Sequence, residues 1–437
     1  MSTIDNLMSE LPDPVRQTGI QVWEALPPDR QGEVDAALAM LPGSLKPLKD
    51  VLGFVLDRYK PAFGTKRGVA IVGPANVGKS TLYNKLIAHK EDVAEVGPVP
   101  GTTRENQKAD TGLFLVVDTP GADAVGMVGQ KEREIAFQAA EQADFLVIVF
   151  EASRGIKRYE RDLYDALLDL NRPYIVVLNK IDLIPKQERE RVIESAASNL
   201  SLLPAQIIAT VATKGTNVDQ VILGIVKLEP ALLAAIAEAL PEYQHRLAWQ
   251  QIGAAASSAG VVGFIPLPIA DLGPLFLIQA GLVLSIARVY GFKITLARAK
   301  ELLATFGAGI LARTVYQQLS KLLGAPGWVL SAAIAAATTV AVGYGAMMWF
   351  AYGEKPSRKQ LQRLTSEVAQ GLRDRLVGLG KKRPKKEKVR GSIVAALKDM
   401  PGRLRPGTAS PDEEEEGQVV QLAVPLRAQE IEQDSNE

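Results

Sequence analysis

The chain has 437 residues, enough for two or three domains, and its hydrophobic fraction of 47% is ordinary for a globular protein with a sizeable core. Its 50 basic and 49 acidic side chains give a formal net charge of +1, which favours no particular partner. The sequence has no cysteine, which excludes disulfides, thiolate metal sites and thiol catalysis. The N-terminal segment lacks the basic start and apolar stretch of a secretory signal, so we expect the α/β part of the chain to face the cytoplasm.

Shifts in composition divide the chain into four regions. Prolines interrupt short amphipathic stretches over 1–66, which predicts a helical N-terminal arm. Over 67–229, apolar β-branched runs alternate with helical stretches, which predicts an α/β domain with a mostly parallel sheet and helices on both faces. Residues 230–353 are poor in charge, and we expect an all-α apolar helical domain. Residues 354–437 are polar, and we expect a charged, largely disordered tail with one helix at 391–400.

Five runs in the α/β region are nearly all apolar, as strands covered on both faces should be. They are Val69–Val72, Leu113–Val117, Phe145–Phe150, Tyr174–Leu178 and Gln206–Thr210. Helical stretches lie between or after them, at Ser80–Ala88, Glu132–Gln142, Arg158–Leu170, Glu188–Asn199 and Val218–Leu228. Ligands of such sheets bind beyond the carboxyl ends of the strands, so the loops after these runs are the candidate site.

The loop after the first run has the spacing of a phosphate-binding loop. The segment GPANVGKST at 73–81 matches G-x-x-x-x-G-K-[ST] between a strand and a helix. Its glycines let the main chain wrap around phosphates, and the helix N-terminus adds a favourable dipole. Lys79 would lie between the β- and γ-phosphates, and Ser80 would offer its hydroxyl to magnesium. The expected nucleotide contacts are Gly73, Pro74, Ala75, Asn76, Val77, Gly78, Lys79, Ser80 and Thr81.

The segment DTPG at 118–121 directly follows the second run. Asp118, at a strand end, can hold magnesium directly or through water. Gly121 can place its N–H against the γ-phosphate and couple the nucleotide state to the segment that follows. Alone, this tetrapeptide is typical of an ordinary turn, so its interpretation depends on the other motifs.

The segment NKID at 179–182 follows the run Tyr174–Leu178. Asp182 can accept hydrogen bonds from N1–H and the exocyclic amine of guanine, a pair that adenine does not present, so such a site rejects ATP. Asn179 can bond the base or brace the phosphate loop, and the stem of Lys180 can lie over the base. Three motifs in order at strand ends of one sheet predict a site for GTP or GDP with magnesium.

Over 67–229 these motifs resemble the Era/TrmE group of translation-factor-class GTPases. PGTTR at 100–104 is similar to the group's first switch, and the resemblance implies that Thr103 senses magnesium and the γ-phosphate. VATKG at 211–215 stands where the group has Ser-Ala, and implies that the Ala212 N–H contacts the guanine oxygen. The resemblance implies GTP hydrolysis that is slow without activation, with Lys79, Thr103 and Gly121 in catalytic roles. Magnesium would be held by Ser80, Thr103 and Asp118.

Two positions concern the rate of hydrolysis. Ala122 stands where Ras-like proteins carry a glutamine, so this side chain cannot orient the attacking water. Asn76 stands where potassium-activated members of the group have an asparagine that helps bind the ion. The resemblance therefore implies acceleration by K+, by homodimerisation or by a partner. The alternative is that Asn76 only braces the loop.

Gly327–Tyr352 is the strongest membrane candidate, since its 26 residues carry no charge and about 20 suffice to span a bilayer. Trp328 and Trp349 would lie roughly 31 Å apart on a helix, near the hydrocarbon thickness, as an aromatic belt would. The many small residues leave burial in a soluble bundle as the alternative. The stretch 247–287 predicts two arms too short to span, forming a hairpin that enters from one face or a packed pair.

This half resembles the YcjF-like domain found attached to bacterial Era-like GTPases and associated with membranes. The segments at 265–271 and 299–304 carry that resemblance. Taken together, we expect a GTP-dependent switch at the cytoplasmic face of the inner membrane, with an unidentified protein effector. The alternative is a soluble ribosome- or RNA-assembly GTPase in the cytoplasm. In these two cases the basic run Lys381–Arg390 would contact lipid headgroups or phosphate backbones, respectively.

Overall fold

The structure is a computed structural model of the chain that forms two compact units. One unit spans Gly64–Tyr243, and the other combines Met1–Phe63 with Gln244–Glu437. This division falls later in the chain than the predicted boundary at 229–230. The described residues are 66, 68–87, 107–108, 113–118, 137–264, 272–292, 327–353, 356–380 and 384–397, with the single positions 20, 24, 32 and 61. The predicted N-terminal arm over 1–66 therefore lies almost wholly outside them.

One sheet organises the first unit. Among the described residues its strands are β1 Val69–Gly73, β2 Gln107–Lys108, β3 Phe114–Asp118, β4 Phe145–Glu151, β5 Tyr174–Asn179 and β6 Ile207–Ala209. Their order is β2-β3-β1-β4-β5-β6, in which β2 is antiparallel to β3 and the other neighbours are parallel. Every residue of β1 and β4 is buried, as expected of strands covered on both faces. The predicted α/β fold is confirmed.

Helices flank this sheet. They are α1 Lys79–Leu86, α2 Arg158–Leu168, α3 Arg189–Asn199 and α4 Val218–Leu228, and a fifth helix, α5 Leu233–Ala239, follows α4 along the chain. A further helical stretch covers 137–142. In α2 the apolar positions recur every three or four residues, so Leu163, Tyr164 and Leu167 point into the core.

β1 lies between β3 and β4, and the chain changes direction across the sheet at this strand. Ligands of open α/β sheets bind beyond the carboxyl ends of the strands at such a point. In the register, Gly73 of β1 is the partner of Asp118 of β3, and Glu151 of β4 is the partner of Asn179 of β5. Four strand ends with polar or glycine residues thus meet at one edge.

The second unit is helical in the part of it that the structure describes. Its helices are α6 Gln244–Phe264, α7 Leu272–Val289, α8 Gly327–Tyr352, α9 Arg358–Val377 and α10 Lys386–Leu397. The bounds of α8 are the predicted ones. The first apolar arm was expected at Gln251–Phe264, but α6 begins at Gln244 and has 21 residues, so this arm is not shorter than a spanning helix. The additional N-terminal residues include Arg246. A charged residue is not expected in an apolar arm, so the sequence did not indicate that the helix extends this far.

Small residues let α6 and α8 approach closely. A Cβ atom on Gly263 would lie 2.7 Å from the Ser331 carbonyl oxygen and 2.9 Å from the Ala335 Cβ. Helix α8 also packs against α7 and α9. It is long and apolar enough to cross a membrane, with a mean hydropathy of 1.6, yet 83% of its most apolar window is buried within the protein. Trp328 is 7% exposed and its ring meets Phe264 edge-on at 5.4 Å, so it faces the bundle interior.

The expectation of a largely disordered tail from 354 is wrong for 358–377, which form α9. The helix expected at 391–400 is present and begins earlier, as α10 over Lys386–Leu397. Both helices bury one apolar stripe, α9 against α8 and α10 against α6, while their charges face outward. The Ser357 hydroxyl accepts a hydrogen bond from the Gln360 N–H and caps α9. The buried residues include Val368, Leu372, Leu376, Val389 and Ile393.

Candidate nucleotide-binding site

The loop between β1 and α1 adopts a main-chain path that only glycine fits at two points. Gly73 has φ 152°, and a Cβ there would lie 2.2 Å from the Val149 carbonyl oxygen. Gly78 has φ 95°, and a Cβ there would lie 2.4 Å from Nδ2 of Asn179. Asn76 between them is also left-handed, with φ 65°. The glycines that the motif requires are therefore explained by local geometry.

Lys79 begins α1 and is 3% exposed. Its ammonium donates hydrogen bonds to the main-chain oxygens of Gly73, at 2.7 Å, and Pro74, at 2.6 Å. These bonds hold a buried positive charge at the N-terminal end of a helix. Charge, helix dipole and loop N–H groups together make this loop a place for phosphate oxygens.

Asn179, at the end of β5, connects three loops while only 2% exposed. Its Nδ2 donates to the Val77 carbonyl oxygen at 2.9 Å. Its Oδ1 accepts hydrogen bonds from Thr210 Oγ1 at 3.1 Å and from the Ala212 N–H at 3.0 Å. Of the two roles open to Asn179, the structure therefore shows the bracing one. The contact of the Ala212 N–H with the guanine oxygen stays a prediction, and in this structure that N–H bonds Asn179.

Lys180 has a left-handed backbone, with φ 61°, and its ammonium reaches back to the phosphate loop. Nζ donates to the Asn76 main-chain oxygen at 2.6 Å and to Glu151 Oε2 at 2.8 Å. Burial raises the pKa of Glu151, but hydrogen bonds from Lys180 and Ser153 and the charges of Lys180 and Arg154 outweigh it, so the net pKa lies below its ordinary value. Sequence reasoning missed Glu151, which carried no motif.

Asp182 lies in the short turn Ile181–Leu183 that follows β5. Its carboxylate is partly exposed, and Lys214 Nζ lies 3.2 Å from Oδ2. Lys214 belongs to the turn that starts at Ala212, so this contact joins Asp182 to the segment at 211–215. The sequence assigned no role to Lys214, and a basic residue beside the expected Ala position was the available signal.

Comparison with known proteins agrees with this geometry. Residues 68–180 match the family model described as 50S ribosome-binding GTPase. This segment is a GTPase domain. Residues 230–374 match a second family model, a domain of unknown function, which reaches beyond the predicted end of the apolar domain at 353 and into α9.

The relatives of this GTPase domain include Era, Der and MnmE proteins. GTPase Era of Aquifex aeolicus is 34% identical over 172 residues, 37% of this chain and 56% of that protein. GTPase Der of Geobacter sp. is 37% identical over 128 residues, 28% of each chain. The tRNA modification GTPase MnmE of Thermotoga maritima is 29% identical over 197 residues, 43% of this chain and 42% of that protein. The match thus spans about half of Era and less of the others.

A crystal structure of Aquifex aeolicus Era bound to GDP.AlF4- is 29% identical, with a TM-score of 0.32, and the match covers 44% of this chain and 66% of that one. A structure of Era in complex with MgGDPNP and nucleotides of 16S ribosomal RNA has a TM-score of 0.33 at 29% identity, with 45% and 68% covered.

Several expected residues of the GTPase domain lie outside the described part of the chain. These are Thr103, Gly121 and Ala122, together with the surrounding switch segments. Asp118 is described as the last residue of β3, where it pairs in register with Gly73 of the phosphate loop. The main chain therefore brings Asp118 to the same edge as Lys79 and Ser80.

Magnesium suits the oxygen donors at this edge. The residues described include no group of three or more His, Cys, Asp or Glu that could hold a metal by themselves. Magnesium usually keeps several waters and takes one or two protein oxygens along with phosphate oxygens. Ser80 in the first turn of α1 and Asp118 beside Gly73 would supply those protein oxygens.

Proposed function

We propose that the protein is a GTP-binding and GTP-hydrolysing molecular switch of the Era/TrmE type. The observation that carries the proposal is the bracing by Asn179, which ties Val77 of the phosphate loop to Ala212, in the turn whose Lys214 contacts Asp182. This bracing holds a constant separation between a phosphate-binding and a base-reading element. A site for phosphate alone would not need it, whereas a nucleoside triphosphate must satisfy both ends at once.

Hydrolysis would proceed by attack of water on the γ-phosphate. The Lys79 ammonium and the N–H groups of the loop stabilise the negative charge that develops on the leaving oxygen. Ser80 and Asp118 would hold magnesium, which would supply positive charge to the phosphate end of the site. Thr103 and Gly121 are proposed to contact the γ-phosphate, and the segments around them would then report the nucleotide state to an unidentified effector or a second copy of the chain.

The direct test is binding and turnover with purified full-length protein. We expect GTP and GDP to bind at least about a hundredfold more tightly than their adenine counterparts, because Asp182 has no matching donors on adenine. Lys79→Ala should lower GTP affinity by about tenfold or more, because it removes a charge-assisted contact to phosphate. The control Lys186→Ala changes an exposed lysine of a short surface turn and should leave binding unchanged. Equal affinity for ATP would contradict the proposal.

We further propose that this switch acts at the cytoplasmic face of the inner membrane. The support is α8, whose 26 residues carry no charge. Helix α8 packs against the charged helix α9. To span the bilayer, α8 would have to separate from α9 and lose this packing, because the charges of α9 are costly in lipid. Contact through an apolar face or hairpin of the helical unit avoids that cost.

The second candidate is a soluble ribosome- or RNA-assembly GTPase. It is favoured by exposed basic side chains on and next to α10, among them Lys385, Lys388 and Arg390, which could contact phosphate backbones. Cell fractionation separates the two. Pelleting with membranes and resistance to a high-salt wash would support the membrane proposal. Release by salt and co-sedimentation with ribosomes would support the second candidate instead.

A further inference from the structure

Glu151 is a buried carboxylate at the nucleotide edge to which no motif assigns a role. It is the last residue of β4 and is 6% exposed. Its register partner across β5 is Asn179, the residue that braces the phosphate loop. A carboxylate this buried is retained only where its charge is balanced and its oxygens are bonded.

The contacts of Glu151 lead directly to the phosphate loop. Oε2 accepts a hydrogen bond from Lys180 Nζ at 2.8 Å, and Arg154 Nε lies 3.5 Å from the same oxygen. Oε1 accepts a hydrogen bond from the Ser153 hydroxyl. The same Lys180 ammonium donates to the main-chain oxygen of Asn76 at 2.6 Å. Glu151, Lys180 and Asn76 thus form a continuous chain from the strand end to the loop.

This chain determines where the Lys180 side chain lies. A Cβ on Gly78 would be 3.9 Å from Lys180 Cε, so the lysine stem runs along the phosphate loop. A lysine side chain has many rotamers, and ordering it costs conformational entropy. Two acceptors, one of them charged, hold it in one rotamer. Without Glu151 the ammonium would keep only the neutral Asn76 carbonyl, and the stem would leave the loop more often.

We propose that Glu151 is a positioning residue of the nucleotide site, which slows nucleotide release by holding Lys180 against the phosphate loop. The inference rests on the proposed function, because it assigns Glu151 a role in retaining GDP and GTP. It predicts an effect on release rather than on the chemical step, since Glu151 acts on Lys180 and Asn76 and touches neither phosphate nor attacking water.

The test compares dissociation of a fluorescent GDP analogue from full-length variants. Glu151→Ala should speed dissociation about tenfold, since it removes one charged hydrogen bond from Lys180. Glu151→Gln should restore the rate to within about threefold of wild type, because its amide oxygen can still accept from Lys180. The rate constant is measured on bound protein, so a partly misfolded sample does not alter it.

The matched control is Glu229→Ala. Glu229 accepts from Lys66 Nζ at 2.8 Å, an ion pair of the same length outside the nucleotide edge. Its loss should leave the dissociation rate unchanged. Should Glu151→Ala fail to fold, Glu151→Ser takes its place, since serine keeps a polar group at this position but is too short to reach Lys180.

A double-mutant cycle tests the route through Lys180. In a Lys180→Ala background, Glu151→Ala should cause no further acceleration, because the contact it removes is already gone. If the accelerations caused by the two substitutions multiply in the double variant, the inference is wrong. It is also wrong if Glu151→Ala releases the GDP analogue at the wild-type rate. Either result is distinct from failure of the proposed function, in which wild type itself would not bind GTP or GDP.

Discussion

Gly78 and Asn179 are in such close contact that a Cβ atom on Gly78 would lie 2.4 Å from Nδ2 of the asparagine. The two residues belong to different motifs, yet the amide reaches the Val77 oxygen only because position 78 has no side chain. Gly78 also has φ 95°, a conformation that side chains rarely adopt. The main-chain conformation and the close approach of Asn179 are therefore two separate reasons for a glycine at position 78.

Gly78→Ala should weaken GDP binding by about tenfold or more and lower the free energy of unfolding by about 1–3 kcal/mol. The added methyl group would displace Asn179, and the loop would lose its brace. Nucleotide titration and thermal unfolding measure the two effects. Gly155→Ala is the control, since Gly155 has φ 64° but no atom near its missing Cβ. It should cost stability without affecting nucleotide affinity, and an equal loss of affinity in both variants would count against the brace.

Asp182→Asn should change the preferred base from guanine to xanthine. The asparagine amide would donate to the 2-oxygen of xanthine while its oxygen still accepts from N1–H. Guanine would place its exocyclic amine against the new amide donor, so GTP affinity should fall by about a hundredfold. Competition between GTP and XTP measures the change. The control Asp169→Asn changes an exposed aspartate at the end of α2 and should alter neither affinity. If Asp182→Asn still prefers GTP to XTP, the turn that carries Asp182 does not recognise guanine.

Asn76 provides a test of potassium activation. If its side chain helps bind the ion, GTP turnover should be faster in K+ than in Na+. Asn76→Gly should abolish that difference while keeping the left-handed φ of 65°, which glycine adopts freely. The carbonyl that accepts from Lys180 belongs to the main chain and is retained in the variant. If wild type hydrolyses GTP at the same rate in K+ and Na+, the ion hypothesis fails and Asn76 only maintains the loop conformation.

The sequence predicted the nucleotide edge well because its motifs are local. Main-chain spacing and strand ends determine where Gly73, Lys79 and Asn179 lie, and each was expected at the position observed. Glu151 could not be found this way, because its role depends on pairing between strands β4 and β5 rather than on neighbours in sequence. The role of Asn179 likewise stayed open until the bond to Val77 was known.

Helix α9 was missed for a different reason. Its charges lower the mean hydropathy of the segment, which favours a disordered tail when composition is averaged. The signal lay in periodicity, since Val368, Leu372 and Leu376 recur at intervals of four, and in Ser357 with Gln360 as a capping box.

Close helix packing in the second unit can be tested with two glycines of α6. Gly263→Ala should destabilise the helical unit by about 1–3 kcal/mol, because the methyl group meets the α8 main chain at Ser331. Gly253→Ala, where nothing lies within 4 Å, should stabilise it by about 0.5–1 kcal/mol through helix propensity. Thermal unfolding followed by far-UV circular dichroism measures both. Similar effects of the two substitutions would argue against this packing of α6 on α8.

The hydrogen bonds of Asn179 separate two tasks within one tetrapeptide. The Asn179 amide holds the neighbouring loops in place, while the Asp182 carboxylate stays partly exposed to solvent. An engineer could therefore retarget the pocket toward an unnatural base through position 182 and leave the grip on the triphosphate intact. Such an orthogonal variant would respond to a nucleotide that cells do not supply in quantity, so its activity could be turned on at will amid native GTPases.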